Sequence, residues 1–526
     1  LHNRCLWMNR QAMASHTFVT GSTGTGKSNA VYHLLDEITK DGQTTFLVVE
    51  PAKGEYKNVF GNCTDVQVFG TNPRETPLLR MNPFAFPENI HILEHIDRLV
   101  EIFNACWPMY AAMPAVLKDA IERSYQKVGW DLRNSESEKG IFPTFFDLLD
   151  ILPGVIEESH YSKDTQSDYV GALCTRVKSL TNGIYGSVLC AEDALTDEAL
   201  FDRNVIVDLS RVGSMETKSL LMGILVMKLQ EYRMCSSGMN SRLRHVTVLE
   251  EAHNLLRKTS AEQSQEGANL QGKSVEMLAN AIAEMRTYGE GFIIADQAPG
   301  LLDMSVIRNT NTKIILRLPD EEDRKLVGKS AALKEAQIDE LSKLPLGVAA
   351  VYQNEWPEAV LCKIEAYPMP ENAVYHKPSK MPHEINAEFV FGQLAVGKEL
   401  EPLSSSEMEQ LKLWLKRHET VLKPEDSRYL ERVFAGGELD VAKTRKAVFD
   451  FFGGIGTVVD YCAAAKKSLT PRKEFLEQLQ GQYGLKAAAA DWVLNSVISM
   501  GMSLNPDAKA VDNLRTNFEQ QGGRVL

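Results

Sequence analysis

The sequence predicts an α/β protein whose core is a mostly parallel sheet, interrupted by a helical insertion and followed by a smaller helical module. Three observations predict it. Short β-rich runs alternate with helical patterns at His16 to Thr20, Thr44 to Val49, Val66 to Phe69, Val205 to Leu209, Val246 to Leu249, Phe292 to Ala295 and Lys313 to Leu318. Several are unbroken apolar runs, as expected of strands buried on both faces of a parallel sheet. Between Pro83 and about Leu200 the β signal gives way to helical periodicity.

In chain order, residues 1–84 form the first part of the core, containing a phosphate-binding loop. Residues 85–200 form the insertion, with helical patterns in HILEHIDRLVEIFNACW and PAVLKDAIERSYQKVGW. The core resumes over 201–365, where Gly347 to Gln353 and Ala359 to Ile364 flank NEWPE as a hairpin. The Pro-rich YPMPENAVYHKPSKMP marks a linker over 366–387. Residues 388–526 form the helical module, with SSSEMEQLKLWLKRH opening on cap-compatible Ser and Glu, then TPRKEFLEQLQGQYG and the Ala-rich KAAAADWVLNSVISM.

The totals bound the function. A chain of 526 residues with 44% hydrophobic composition supports several domains. A net charge of -13 argues against nucleic acid wrapping the whole surface, so any DNA contact is local, in a basic ring or pore. The eight cysteines are scattered without C-x-x-C or zinc spacing, and are expected as reduced, mostly buried thiols. No apolar run reaches the roughly 18 residues of a membrane helix, and no basic-then-apolar leader opens the chain, so no membrane association and a cytoplasmic location are expected.

The chemistry begins in HTFVTGSTGTGKSNAVYHLLDEI, where a strand runs through Gly21, Ser22, Thr23, Gly24, Thr25, Gly26, Lys27 and Ser28 into a helix. This is G-x-x-x-x-G-K-[ST] in the context that gives it meaning. The glycines let successive N–H groups face phosphate oxygens at a helix N-terminus, Lys27 reaches the β- and γ-phosphates, and the Ser28 hydroxyl serves Mg²⁺. Asn29 is grouped with the same ATP site.

The acidic partner is RHVTVLEEAHNLL, a strand ending in two carboxylates. Glu250 is expected to hold the Mg²⁺ shell and Glu251 to polarise the attacking water. His253 has either a core role or phosphate contact. In EGFIIADQAPG a third strand ends at Gln297, where such enzymes sense the γ-phosphate; an ordinary loop glutamine is the alternative.

VVEPAKGEY, LEEAH, EMRTYGEGFIIADQ and NTNTKIILRLPD, in that order between Thr17 and Ile364, resemble the HerA/FtsK superfamily and are most similar to its HerA-type DNA translocases. The resemblance implies a RecA-like core, a hexameric ring and double-stranded DNA in its channel. It also implies a separate effector, such as a nuclease or a sirtuin-type enzyme, in anti-phage defence or DNA end processing. On that pattern Glu50, standing where Asp is commoner, lies near the nucleotide. Arg286 matches the arginine that acts on the neighbour's γ-phosphate; surface pairing with Glu284 or Glu290 is the alternative, and Arg317 is a second candidate.

Two departures stand out. Members of that family usually carry an N-terminal β-barrel, for which there is no room here, so a preceding segment or a shortened relative is expected. Arg257 to Lys273 is a polar interruption expected as a loop, either facing the channel through Arg257, Lys258 and Lys273 or simply solvated. LLRMNPFAF before the insertion also resembles conjugation and type IV secretion ATPases, and an ATP-dependent scaffold without translocation is a third reading. Effector identity, polarity, ring size and the choice between defence and repair are not written in the sequence.

Overall fold

The computed structural model describes residues 5–525 apart from 41, 111, 138–140, 160, 192–193, 260–266, 370–372, 379–389, 391–393, 395–410, 412–423, 435–437, 469, 484–486 and 506. It divides into two units, 1–377 and 378–526.

The first unit is built on a nine-stranded sheet in the order β11-β10-β9-β1-β8-β7-β2-β6-β3. Its strands are β1 (Thr17–Thr20), β2 (Thr45–Glu50), β3 (Val66–Gly70), β6 (Asn204–Asp208), β7 (His245–Glu250), β8 (Glu290–Asp296), β9 (Thr312–Ile315), β10 (Val348–Gln353) and β11 (Val360–Lys363). From β9 to β3 every neighbour is parallel, while β10 runs antiparallel to both β9 and β11. Two short strands in the insertion, β4 (Trp130–Asp131) and β5 (Glu136–Ser137), form a separate hairpin that its helical periodicity hid.

Alternation along the strands divides the core between two layers. Phe18, Leu47 and Val207 face one side with helix Ile92–Cys106 and helix Met215–Ser236. Val19, Val48 and Ile206 face the other with Val31 and Leu35 of α1 (Lys27–Thr39). Both sheet faces are therefore dry, which explains the unbroken apolar runs.

Three expectations need correction. The β run expected to reach Leu318 ends at Ile315, and the carbonyl of Arg317 turns to accept the Ser22 N–H at 3.0 Å. The polar segment Arg257 to Lys273 is not one loop. Lys258 N–H bonds the Leu301 carbonyl at 2.8 Å, and helix Gly267–Glu284 begins well before Lys273, leaving 260–266 outside the described residues. The cysteines are free, but only Cys106 is fully buried and Cys5 and Cys63 are exposed.

The described part of the segment expected as a linker lies on the first unit. Tyr367 packs edge-on against Tyr32 and His33, and the Tyr375 N–H bonds Asn58 at 3.0 Å. The second unit contains helices Pro424–Phe434, Val441–Phe451, Gly454–Ala464, Pro471–Tyr483, Ala487–Leu504 and Ala508–Gln520 around its own apolar cluster. The helix expected in SSSEMEQLKLWLKRH lies outside the described residues apart from Leu411. Among the described residues no single helix is long and apolar enough to cross a membrane.

Candidate functional site

The site lies at the C-terminal ends of the parallel strands, where β1 turns into α1. Gly26 caps α1 with φ 102°, and Gly24 has φ 75°, both in the left-handed region that costs glycine nothing. Gly21 is required for a different reason. A Cβ there would fall 2.6 Å from Thr25 Oγ1 and 2.8 Å from Leu316 Cβ, so the loop closes only on glycine. The resulting cavity, about 250 Å³, is floored by Gly21 to Gly24 and Gly26 to Asn29 and also touches Lys53, Glu251, Gln297 and Leu346.

Lys27, Glu250 and Glu251 meet here. The Lys27 ammonium donates to Glu251 Oε1 at 3.0 Å and lies 3.6 Å from Glu250 Oε2. Burial disfavours its charge, but the two carboxylates outweigh burial and hold the ammonium above its ordinary value. Glu250 is buried and shifts upward, because burial outweighs Lys27 and the Tyr56 hydroxyl, which donates to it at 2.5 Å. Glu251 sits at φ 44°, a left-handed strain at the end of β7 that turns its side chain back over the cavity. Its Oε2 is buried with no hydrogen-bond partner among the described residues.

Glu50 occupies the end of neighbouring β2, but its oxygens are committed to the backbone N–H groups of Glu55 and Tyr56 at 2.7 and 3.1 Å. Burial, opposed by those two bonds, pushes its carboxyl up to about 8. Asn29 is likewise occupied: its Nδ2 donates to the Glu365 carbonyl at 2.8 Å and its Oδ1 accepts the Tyr367 N–H at 2.7 Å. Ser28 lines the cavity, and Gln297 closes its far side by accepting a 2.8 Å hydrogen bond from Thr23.

Sequence reasoning passed over Asp296, one residue before Gln297. Fully buried, it accepts the His253 N–H at 2.8 Å and the Ala298 N–H at 2.9 Å, and its Oδ2 lies 2.9 Å from His253 Nδ1. That contact raises the His253 imidazole above its ordinary value. His253 is thus anchored to Asp296, with Nδ1 3.6 Å from Glu251 Oε2. Lys53, at φ 60°, was also missed; its place in PAKGEY gave no sign of a strained turn over the cavity.

Arg286 is not part of this cavity. It is exposed at the opposite end of β8, in the turn Met285–Tyr288, where it lines a polar hollow with Asn240, Asn311 and Asn354. Seven residues of β8 at about 3.3 Å each separate it from Gln297 by roughly 20 Å. Surface pairing with Glu290 is excluded, because Glu290 is buried against Arg233 and His245. Arg317 reaches the loop through its backbone only, its carbonyl accepting both the N–H and the hydroxyl of Ser22.

The arrangement suits a polyanion with a divalent cation. A helix N-terminus and loop N–H groups face one side, and Glu250 and Glu251 face Lys27 with more carboxylate than one ammonium neutralises. Burial holds the Glu250 carboxyl up despite Lys27, and Glu251 Oε2 has no hydrogen-bond partner among the described residues, so the site has acceptor capacity for a cation.

Residues 8–229 match the family model described as helicase HerA, central domain. The chain is 25% identical over 370 residues to a DNA double-strand break repair helicase HerA of Sulfolobus acidocaldarius, covering 68% of this chain and 66% of that one. It is 23% identical over 387 residues to a probable helicase of Methanocaldococcus jannaschii, covering 68% and 67%. The match thus spans about two thirds of the length of these relatives. In fold it is similar to VirB4 of Thermoanaerobacter pseudethanolicus, at 18% identity and a TM-score of 0.52 over 67% of this chain and 90% of that one. It is also similar to the plasmid coupling protein TrwB in complex with GDPNP, at 14% identity and a TM-score of 0.50 over 70% and 90%.

Proposed function

From the premise that the chain is a HerA-type P-loop ATPase, we propose that it assembles with copies of itself into a ring that hydrolyses ATP to move double-stranded DNA. Lys27 and the loop N–H groups bind the phosphates, Ser28 and Glu250 hold Mg²⁺, and Glu251 accepts a proton from the attacking water. When bound there, Mg²⁺ would supply charge neutralisation at the phosphates and electron withdrawal from the scissile bond. Gln297, held by Thr23, senses the terminal phosphate. Asp296 fixes His253 beside Glu251 and so limits the directions that carboxylate takes.

The observation that carries the ring is the separation of Arg286 from the cavity. Among the described residues lining it, the cations are Lys27 and Lys53. An arginine at the opposite end of β8 reaches a γ-phosphate only in another copy, which ties turnover to assembly. The proposal extends to a separate effector subunit, a nuclease or sirtuin-type enzyme, that the ring drives or regulates; the HerA relative, named for double-strand break repair, makes end processing a second setting.

The test is ATP hydrolysis by the purified chain with and without linear double-stranded DNA, beside Glu251→Gln and Arg286→Ala and with mass measured in solution. Turnover that rises with DNA, in a ring-sized particle, and disappears in both variants supports the motor. DNA-independent turnover in the same ring removes translocation and favours an effector scaffold. Arg286→Ala chains that hydrolyse normally remove the trans arginine.

A further inference from the structure

Leu346 is a large apolar side chain left 67% exposed at the rim of an otherwise polar cavity. Its backbone is held in place. The Gly347 N–H donates to the Thr25 carbonyl of the phosphate loop at 3.3 Å, the Gly347 carbonyl accepts the Ile364 N–H at 2.7 Å, and the Val348 N–H bonds Pro345 at 3.1 Å. Gly347 itself takes φ 73°, and a Cβ on it would stand 2.9 Å from the Ile364 carbonyl. The loop carrying Leu346 is thus fixed on both sides of the leucine, and to the phosphate loop through Gly347.

Sheet order gives the direction of a ligand across this cavity. Glu251 and Gln297 follow β7 and β8, on one side of β1, whereas Leu346 precedes β10, on the other side beyond β9. A nucleoside triphosphate whose terminal phosphate faces Glu251 therefore has its base towards β10. On that side the Asn29 amide is fixed against the chain, its Nδ2 donating to the Glu365 carbonyl and its Oδ1 accepting the Tyr367 N–H.

We infer that Leu346 is the platform on which the nucleotide base lies, and that the site holds the base by apolar contact without reading its polar edge. This rests on the reading of the cavity as a nucleoside triphosphate site. A purine face laid on an aliphatic side chain gains from removing both surfaces from water, and that gain does not depend on exocyclic groups. A site without hydrogen bonds to those groups distinguishes poorly between bases.

The test is equilibrium binding of ATP, GTP and inorganic tripolyphosphate, each with Mg²⁺, to the full chain and to Leu346→Ala and Leu346→Asp. Exposure of the side chain keeps both variants folded, which circular dichroism checks. The expected result is ATP binding weakened about tenfold in Leu346→Ala, and further in Leu346→Asp. Tripolyphosphate should stay within about twofold, and wild-type ATP and GTP affinities within a few-fold. Equal weakening of ATP and tripolyphosphate, unchanged ATP affinity, or a hundredfold preference for ATP over GTP overturns the inference while leaving the phosphate site standing. Failure of ATP and tripolyphosphate alike to bind the wild-type chain overturns the underlying reading and the inference with it.

Discussion

The two ends of the same sheet treat buried carboxylates in opposite ways. At the N-terminal end, Glu290 of β8 is fully buried, and each oxygen has a partner: Arg233 Nε at 2.9 Å, His245 Nδ1 at 2.7 Å and Thr247 Oγ1 at 2.8 Å. Burial alone would raise this carboxyl, but His245 and Arg233 outweigh it and bring it down to about 2. Burial also lowers the His245 imidazole, whereas the Arg233 guanidinium stays charged beside Glu290. At the C-terminal end, Glu50 and Glu250 are just as hidden but shifted upward, and Glu251 has an oxygen without a hydrogen-bond partner among the described residues. A carboxylate that serves the fold has its charge fully answered, whereas one that awaits a ligand is left short.

The largest effect should come from exchanging a carboxylate for its amide at each end. Glu251→Gln is expected to lower ATP turnover by about 10²- to 10⁴-fold, the range for losing a positioned base. Its thermal midpoint should be unchanged or higher, because surplus negative charge leaves the site. Glu290→Gln should do the reverse, unfolding at lower temperature while its folded fraction retains turnover. Steady-state kinetics and calorimetry on the same preparations check both. A Glu251→Gln chain as destabilised as Glu290→Gln would erase the distinction.

Arg233→Met sharpens the comparison from the cationic side. Arg233 is fully buried and also donates to Asp202 at 2.8 Å, so its removal strands Glu290 without its charge partner. The expected cost is about 3–5 kcal/mol, the range for breaking a buried pair on one side. Denaturant midpoints of Arg233→Met and of Arg233→Met with Glu290→Met measure it. The double variant should recover most of the loss, since the penalty belongs to the stranded charge.

The pH dependence should separate the ends without any loss of side-chain volume. Glu50 has a folded value of about 8 against an ordinary 4.5, so the folded chain keeps a proton that the unfolded chain releases. Ionising it costs stability progressively as pH rises from about 4.5 to 8, and costs nothing below that range. Glu290, at about 2, contributes stability that is present above 4.5 and lost as pH falls towards 2. Between pH 5 and 8.5, the melting temperature of Glu50→Gln relative to wild type should rise, and that of Glu290→Gln should stay flat. A flat Glu50→Gln difference would mean that its carboxylate is already compensated.

What was legible in the sequence follows the same division. Gly21 to Ser28, Glu250 and Glu251 could be read because their chemistry is local, with spacing on one strand, one turn and one helix start deciding it. The strands were legible because burial on both faces leaves unbroken apolar runs such as the one over Phe292 to Ala295. Asp296, Tyr56 and Leu346 were not, because each acquires its role from a neighbour distant in sequence. Tyr56 reaches Glu250 across 194 positions, and Leu346 reaches the phosphate loop through Gly347 and Thr25. Helix Gly267–Glu284 was misread in its first turns, where polar residues conceal a periodicity that emerges only around Val275 and Leu278. Arg286 was proposed from a pattern, and its distance from the cavity is a property of the β8 strand that no motif records.

The smallest effect tests whether Gln297 belongs to the ligand-dependent end at all. Thr23 and Gln297 are both exposed, so their 2.8 Å hydrogen bond competes with water and contributes at most about 1 kcal/mol to folding. Thr23→Val should therefore leave the thermal midpoint within a degree or two of wild type. If Gln297 senses the terminal phosphate from the position that Thr23 gives it, the same substitution should reduce turnover several-fold without changing ATP affinity. A fall in affinity at unchanged turnover would instead make the pair part of the phosphate cradle. If neither changes, Gln297 is an ordinary loop residue at the end of a strand, and sensing passes to Asp296 and His253, which the fold holds much more firmly.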